Sequence, residues 1–176
     1  KPAILGEKTL EYYNEYSANA HRGDYDLSLK VDAEYEETRE LVKELINAKN
    51  KNEIIFTNGA TDSLNKIIFG YFKKYFKNDD EVIISKSEHA SNVLPWYELI
   101  ESNNIKVKFV PLDKDYHVTL ENLKKTITEK TKVISLAHVT NVIGDIRPLE
   151  EIIKYAHEKD IKVIVDGAQS VPHMKI

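Results

Sequence analysis

The sequence predicts an α/β fold, a mostly parallel sheet with helices on both faces. Three observations predict it. From Glu53 onward, short apolar runs alternate with longer stretches of helical periodicity, the pattern of successive βαβ units. Runs such as Val82–Ile84 and Val163–Val165 are continuously apolar and rich in β-branched residues, as strands covered on both faces are. And 41% apolar residues over a length of 176 suffice for one substantial core.

Taken in order, an amphipathic stretch around Leu10 to Tyr16 comes first, and the polar link HRGDYD follows it. In the next segment Val31, Tyr35, Val42, Leu45 and Ile46 recur at helical spacings with glutamates and lysines between them, which predicts a longer surface helix. EIIFT, from Glu53 to Thr57, is expected to be the first strand. It leads into a helix with Leu64, Ile67, Ile68, Tyr71, Phe72 and Tyr75 on one face. EVIIS (Glu81 to Ser85) precedes a helical stretch near Trp96 to Glu101, and KVKFVP precedes one from Thr119 to Thr128. KVISLA precedes a helix opened by Pro148, and KVIVD closes the series. Residues 1–50 are expected to form N-terminal helices, and residues 51–176 the α/β core.

Composition excludes several classes of function. The net charge of −4 gives no electrostatic footprint for nucleic acid or an anionic membrane surface. No apolar run approaches the roughly 20 residues that span a bilayer, so no membrane association is expected. The chain has no cysteine, which removes disulfides, thiolate metal sites and a cysteine nucleophile from these residues. The histidines fall at no zinc spacing, so no metal site is expected. Nothing at the start reads as a leader, and a cytoplasmic location is expected.

Right-handed crossovers bring the carboxyl ends of parallel strands to one edge, where ligands bind in such sheets. After EIIFT comes NGATDSLN, after EVIIS comes KSEHASN with His89, after KVISLA comes HVTNVIG with Asn141, and KVIVD ends in Asp166 with Gln169 three residues on. Each has a plain structural alternative. NGATDSLN can be only a helix start, His89 a hydrogen-bonded surface histidine, and Asn141 a turn residue ahead of Gly144. Asp166 is the hardest to explain away. A carboxylate ending a buried strand carries a desolvation cost of several kcal/mol unless a cation meets it. NGATDSLN, if it is more than a helix start, offers backbone N–H groups and the Thr61 hydroxyl to an anion. A phosphate at one end and a cation facing Asp166 at the other describe pyridoxal phosphate, with Gly167 and Ala168 small enough to leave room for it.

The strings HRGDYDLS, FTNGATDSLN, SEHASNVLPW, LAHVTNVIG and VDGAQSVPH, in this order over nearly the whole chain, resemble the cofactor domain of class V aminotransferase-fold enzymes of fold type I. Within that family they look most like the cysteine desulfurases of the SufS/CsdB type. The resemblance implies that Thr61 and the backbone of Ala60 bind the cofactor phosphate. It implies that His89 stacks on the ring and carries protons as a catalytic group, that Asn141 and Gln169 contact the phenolic oxygen side, and that Asp166 holds the pyridine nitrogen. The implied reaction converts L-cysteine to L-alanine, with the sulfur passed to an acceptor protein for iron–sulfur cluster assembly, in a homodimer.

The sequence also departs from that family. Its Schiff-base lysine lies about twenty residues beyond the aspartate–glutamine pair, past Ile176, and Lys175 is too near Asp166 to replace it. The nucleophilic cysteine and the small C-terminal domain are missing too, so these residues are expected to be a fragment, inactive by itself. Tyr25, Ala60, Asp62 and Ala90 stand where the family carries histidine, threonine, glutamate and histidine. These differences leave two alternatives beside desulfuration: another reaction of the same fold, such as that of an aminotransferase, a kynureninase-like lyase or an epimerase, or a non-catalytic fragment.

Overall fold

A computed structural model describes residues 2–176. Two compact units divide the chain. One comprises the residues up to Phe56 with Lys175 and Ile176, and the other is Thr57–Met174.

In the first unit, α1 (Ala3–Glu15) and α2 (Asp26–Leu45) bury little. Arg39 of α2 donates to the Ile54 carbonyl and lies over the Tyr35 and Phe56 rings, whose centroids are 5.2 Å apart, edge to face. The strand expected over Glu53–Thr57 does not form. Lys51–Glu53 is a 3-10 turn capped by the Asn50 side chain, and the extended segment after it pairs with no strand among the described residues. Ile54 is buried while Ile55 is 77% exposed. Strand preference is a preference for a pleated, paired surface, and without a neighbouring ladder an apolar run stays unpaired chain.

In the second unit, β1 (Glu81–Ser85), β2 (Lys106–Val110), β3 (Thr131–Ala137) and β4 (Lys162–Asp166) form one all-parallel sheet in the order β2-β1-β3-β4. Successive side chains of a strand point to opposite faces, and β1 shows both faces covered. Val82 and Ile84 pack with Leu64, Ile68, Phe72, Trp96 and Leu99, whereas Ile83 packs with Val118, Leu123, Ile134, Leu149 and Ile152. The first face is thus covered by α3 (Ala60–Asn65), its continuation and α5 (Leu94–Asn103). The second is covered by α6 (Leu120–Thr126) and α7 (Leu149–His157).

The helix that starts at Ala60 widens into a π-helix over Lys66–Phe72 before ending as α4 (Lys73–Tyr75). The widening changes which residues face the core. Leu64, Ile68, Phe72 and Phe76, four apart, are buried, while Ile67 and Tyr71, expected on the same face, are 41% and 53% exposed. The chain runs from β1 outward to β2 and then returns across β1 to β3, so the strand order reverses between β1 and β3. In open α/β sheets the crevice beyond the carboxyl ends at such a reversal is where ligands bind.

Candidate active site

The segments after β1, β3 and β4, together with the start of α3, wall a cavity at that crevice. The cavity, of about 150 Å3, is lined by Ala60 and Thr61 from the start of α3, His89 and Ser91 from the segment after β1, and Ala137, Val139 and Asn141 from the end of β3 and beyond. Asp166, Ala168 and Gln169 complete it. The six positions singled out in the sequence, Ala60, Thr61, His89, Asn141, Asp166 and Gln169, therefore lie on one cavity. Wider grooves open on either side and share lining with it, one through Thr61, His89 and Ser91, the other through His89 and Asn141.

Asp166 ends β4 opposite Ala137, and its backbone carbonyl accepts from the His138 N–H at 2.9 Å. That pairing turns a buried carboxylate toward the cavity. Its Oδ1 accepts from the Ala168 N–H at 3.0 Å, and among the described residues no cationic side chain pairs with it. Gly167 has a different purpose from the one its size suggested. A Cβ there would meet Val171 Cγ2 at 3.1 Å, so the glycine serves the packing of the following turn, and Ala168 rather than Gly167 borders the cavity.

Gly59 precedes α3 with φ of +115°, a conformation open to glycine and strained for L side chains. It redirects the chain so that Ala60 and Thr61, whose N–H groups no helix can satisfy internally, border the cavity. Asp62 accepts from the Asn58 N–H at 3.0 Å and pairs with Lys66. The Lys66 hydrogen bond, with that from Asn58, holds its carboxyl below the usual range, so it stays ionised but neutralised beside the helix start. Asn141 does sit in a turn, closed by Thr140 and Asp145 with Gly144 at φ of +70°, and that turn carries it to the cavity wall.

His89 caps the 3-10 turn Ala90–Asn92: its Nδ1 accepts from the Ser91 N–H at 3.2 Å and lies 2.7 Å from Ser91 Oγ. Beneath it is a buried cluster that sequence reasoning missed. Glu88 pairs with Arg147, both side chains fully buried, and also accepts from Ser85 Oγ at 2.7 Å, Asn92 Nδ2 at 2.9 Å and the Ala137 N–H at 2.8 Å. Arg147 donates further to Ser85 and Ser87, and Asn92 accepts from Ser135 Oγ at 2.6 Å. These bonds tie the His89 segment to the ends of β1 and β3. One signal was available: an arginine just ahead of the Pro148 helix start, beside an acidic residue in a turn, reads as solvated unless a buried acid elsewhere claims it. Asp145 touches the same guanidinium at 3.9 Å and accepts from His117 Nδ1 at 2.6 Å. The Asp145 carboxylate raises the His117 pKa above the ordinary imidazole value.

A parallel sheet with helices on both faces and a cavity at its strand reversal is the architecture of the fold type I pyridoxal phosphate-dependent transferases. The aminotransferase class-V family model matches residues 1–176, and the chain belongs to that family, whose members are in general pyridoxal phosphate-dependent. A probable cysteine desulfurase of Borreliella burgdorferi is 43% identical over the whole chain, which covers 42% of that protein. The apo structure of a cysteine desulfurase from Thermococcus onnurineus superposes with a TM-score of 0.93 at 35% identity, over 99% of this chain and 43% of that one. The structure of SspA in complex with cysteine matches with a TM-score of 0.86 at 27% identity, over 96% of this chain and 48% of that one. The chain thus spans about two-fifths of the curated relatives it matches.

Proposed function

We propose that this chain is the cofactor-binding part of a pyridoxal phosphate-dependent cysteine desulfurase, which converts L-cysteine to L-alanine and passes the sulfur to an acceptor protein for iron–sulfur cluster assembly. The observation that carries the reading is Asp166: a buried carboxylate without a cationic partner among the described residues, on a cavity whose other end is the start of a helix. The residues fit the group. The first-turn N–H groups of α3 and the Thr61 hydroxyl suit a phosphate, Asp166 suits a protonated ring nitrogen, and Asn141 and Gln169 offer amides to a phenolic oxygen. The desulfurase similarity of the relatives and the cysteine bound to SspA support L-cysteine as substrate.

Bound pyridoxal phosphate supplies an electron sink for charge developing at the substrate α-carbon. The chain's own residues do the rest of the work assigned here. Asp166 keeps a proton on the ring nitrogen, because the buried carboxylate is satisfied electrostatically only while that nitrogen is cationic. His89 gives a flat imidazole to the wall of the cavity, a group suited to proton transfer. The amine that carries the cofactor and the thiol that takes the sulfur come from outside these residues, which contain no cysteine. Exposed Leu94, Val142 and Ile143, bordering the grooves beside the cavity, suit burial against a second subunit, in keeping with a homodimer.

The test is to give the full-length protein L-cysteine and pyridoxal phosphate and to measure alanine and sulfide. Equimolar release is the expected result. A coloured bound cofactor with no alanine would move the function to another reaction of the family, and no cofactor uptake would sink the reading.

A further inference from the structure

The buried Glu88–Arg147 cluster fixes the backbone that carries His89, which leaves the imidazole itself only its side-chain torsions. Ser91, two residues on, acts on those. Its backbone N–H reaches His89 Nδ1 at 3.2 Å and its hydroxyl oxygen lies 2.7 Å from the same nitrogen. The hydroxyl could be donor or acceptor, but a backbone N–H can only donate. Nδ1 must therefore be the bare nitrogen of a neutral ring, and the proton must sit on Nε2. Ser91 also borders the cavity with His89, so the contact, although solvent-exposed, belongs to the site.

We propose that Ser91 is a positioning residue that holds His89 in its Nε2–H tautomer with the ring orientation fixed at the cavity wall. For its catalytic consequence the inference rests on the role proposed for His89 above. While Nδ1 is engaged by Ser91, the neutral ring meets the cavity through Nε2–H as a hydrogen-bond donor. A histidine free to rotate and to exchange tautomers would present the donor only part of the time.

The experiment uses the full-length protein, labelled with 15N on histidine, with and without pyridoxal phosphate, alongside the variants Ser91→Ala and Ser91→Thr. In the unsubstituted protein the His89 ring signals are expected to show a bare Nδ1 and a protonated Nε2. Ser91→Ala should add a measurable Nδ1–H population and lower kcat roughly three- to tenfold, the worth of one neutral hydrogen bond, while KM stays within about twofold. Ser91→Thr, which keeps both donors, should restore the ring signals and kcat. An Nδ1–H ring in the unsubstituted protein would overturn the proposal. So would Ser91→Ala with unchanged ring signals, or a threonine variant as impaired as the alanine one. If the protein takes up no cofactor, the functional reading fails alone, because the ring signals of the cofactor-free protein still decide the role of Ser91.

Discussion

Replacing Arg147 by methionine tests whether the buried cluster under His89 is a unit. Methionine keeps an unbranched, flexible stem but removes the guanidinium. Four acceptors then lose a donor: Glu88, Ser85 Oγ at 2.7 Å, Ser87 Oγ at 2.9 Å and the Ala137 carbonyl at 3.3 Å. The two hydroxyls can turn to each other, being 3.1 Å apart, so their loss is small. Glu88 cannot escape so easily, since its side chain is fully buried and the remaining donors, Ser85, Asn92 and the Ala137 N–H, are all neutral. Removing one partner of such a pair costs about 3–5 kcal/mol, nearly all of it the uncompensated charge. Glu88→Gln in the same background removes that charge, so the double variant should be more stable than Arg147→Met alone, by about 2 kcal/mol or more. Urea unfolding of the full-length protein and its three variants gives the cycle. A loss below about 1 kcal/mol for Arg147→Met, or two substitutions that simply add, would refute the reasoning.

Gly59→Ala should destabilise the protein by about 1–3 kcal/mol although nothing lies within 4 Å of the added Cβ, because the cost is the positive φ; thermal unfolding checks it. The same variant should bind pyridoxal phosphate more weakly, read from the visible absorbance, since the turn that presents Ala60 and Thr61 must shift. Trp96 is fully buried, and among the described residues its indole N–H has no partner. Trp96→Phe therefore gives up no hydrogen bond and should cost far less than the roughly 3–5 kcal/mol expected of Trp96→Ala, compared by urea midpoint. The hydrogen bond to Asp145 raises the His117 pKa in the folded state. The stability from that contact is fully present below the unfolded value near 6.5 and is lost as pH rises through the higher folded value. In an NMR titration, Asp145→Asn should return the His117 midpoint toward 6.5, and an unmoved midpoint would refute the pairing.

What was legible in the sequence is what one strand or one helix decides alone. Val82–Ile84 and Val163–Val165 announce strands because every side chain in them is apolar, and both lie in paired strands, although only the first is covered on both faces: Val165 is 40% exposed. EIIFT shows the same local signal and fails, since whether an apolar run is a strand depends on a neighbour that sequence-local reasoning does not supply. The site residues were legible because parallel topology fixes where strand ends go, so a carboxylate, an imidazole and two amides placed after strands must converge. Arg147 and Glu88 were not, because they are 59 residues apart and each lies in a polar stretch that alone reads as a solvated turn. The 2.7 Å contact between His89 and Ser91 is local in sequence yet equally hidden, because an Ala-Ser-Asn turn gives no sign of which ring nitrogen it caps.

The carboxylates at this end of the sheet sort themselves by partner. Glu88 has Arg147 and Asp145 has His117, each within hydrogen-bond reach, and both acids are buried beneath the segments that line the cavity. Asp166 is buried to a similar degree and has one backbone N–H. Burial alone therefore does not distinguish it, and a purely structural role would be expected to give it the kind of partner that its two neighbours have. The difference is its position: Glu88 and Asp145 belong to the supporting layer, whereas Asp166 stands on the wall. An acid placed there without a protein cation is satisfied by a cation that enters the cavity, and its absence of partner is then a property of the fold rather than a defect in it. Asp166→Asn in the full-length protein separates the two roles. A ligand role predicts that folding stability changes little while the bound cofactor's absorbance and the turnover of L-cysteine both fall. A structural role predicts the reverse.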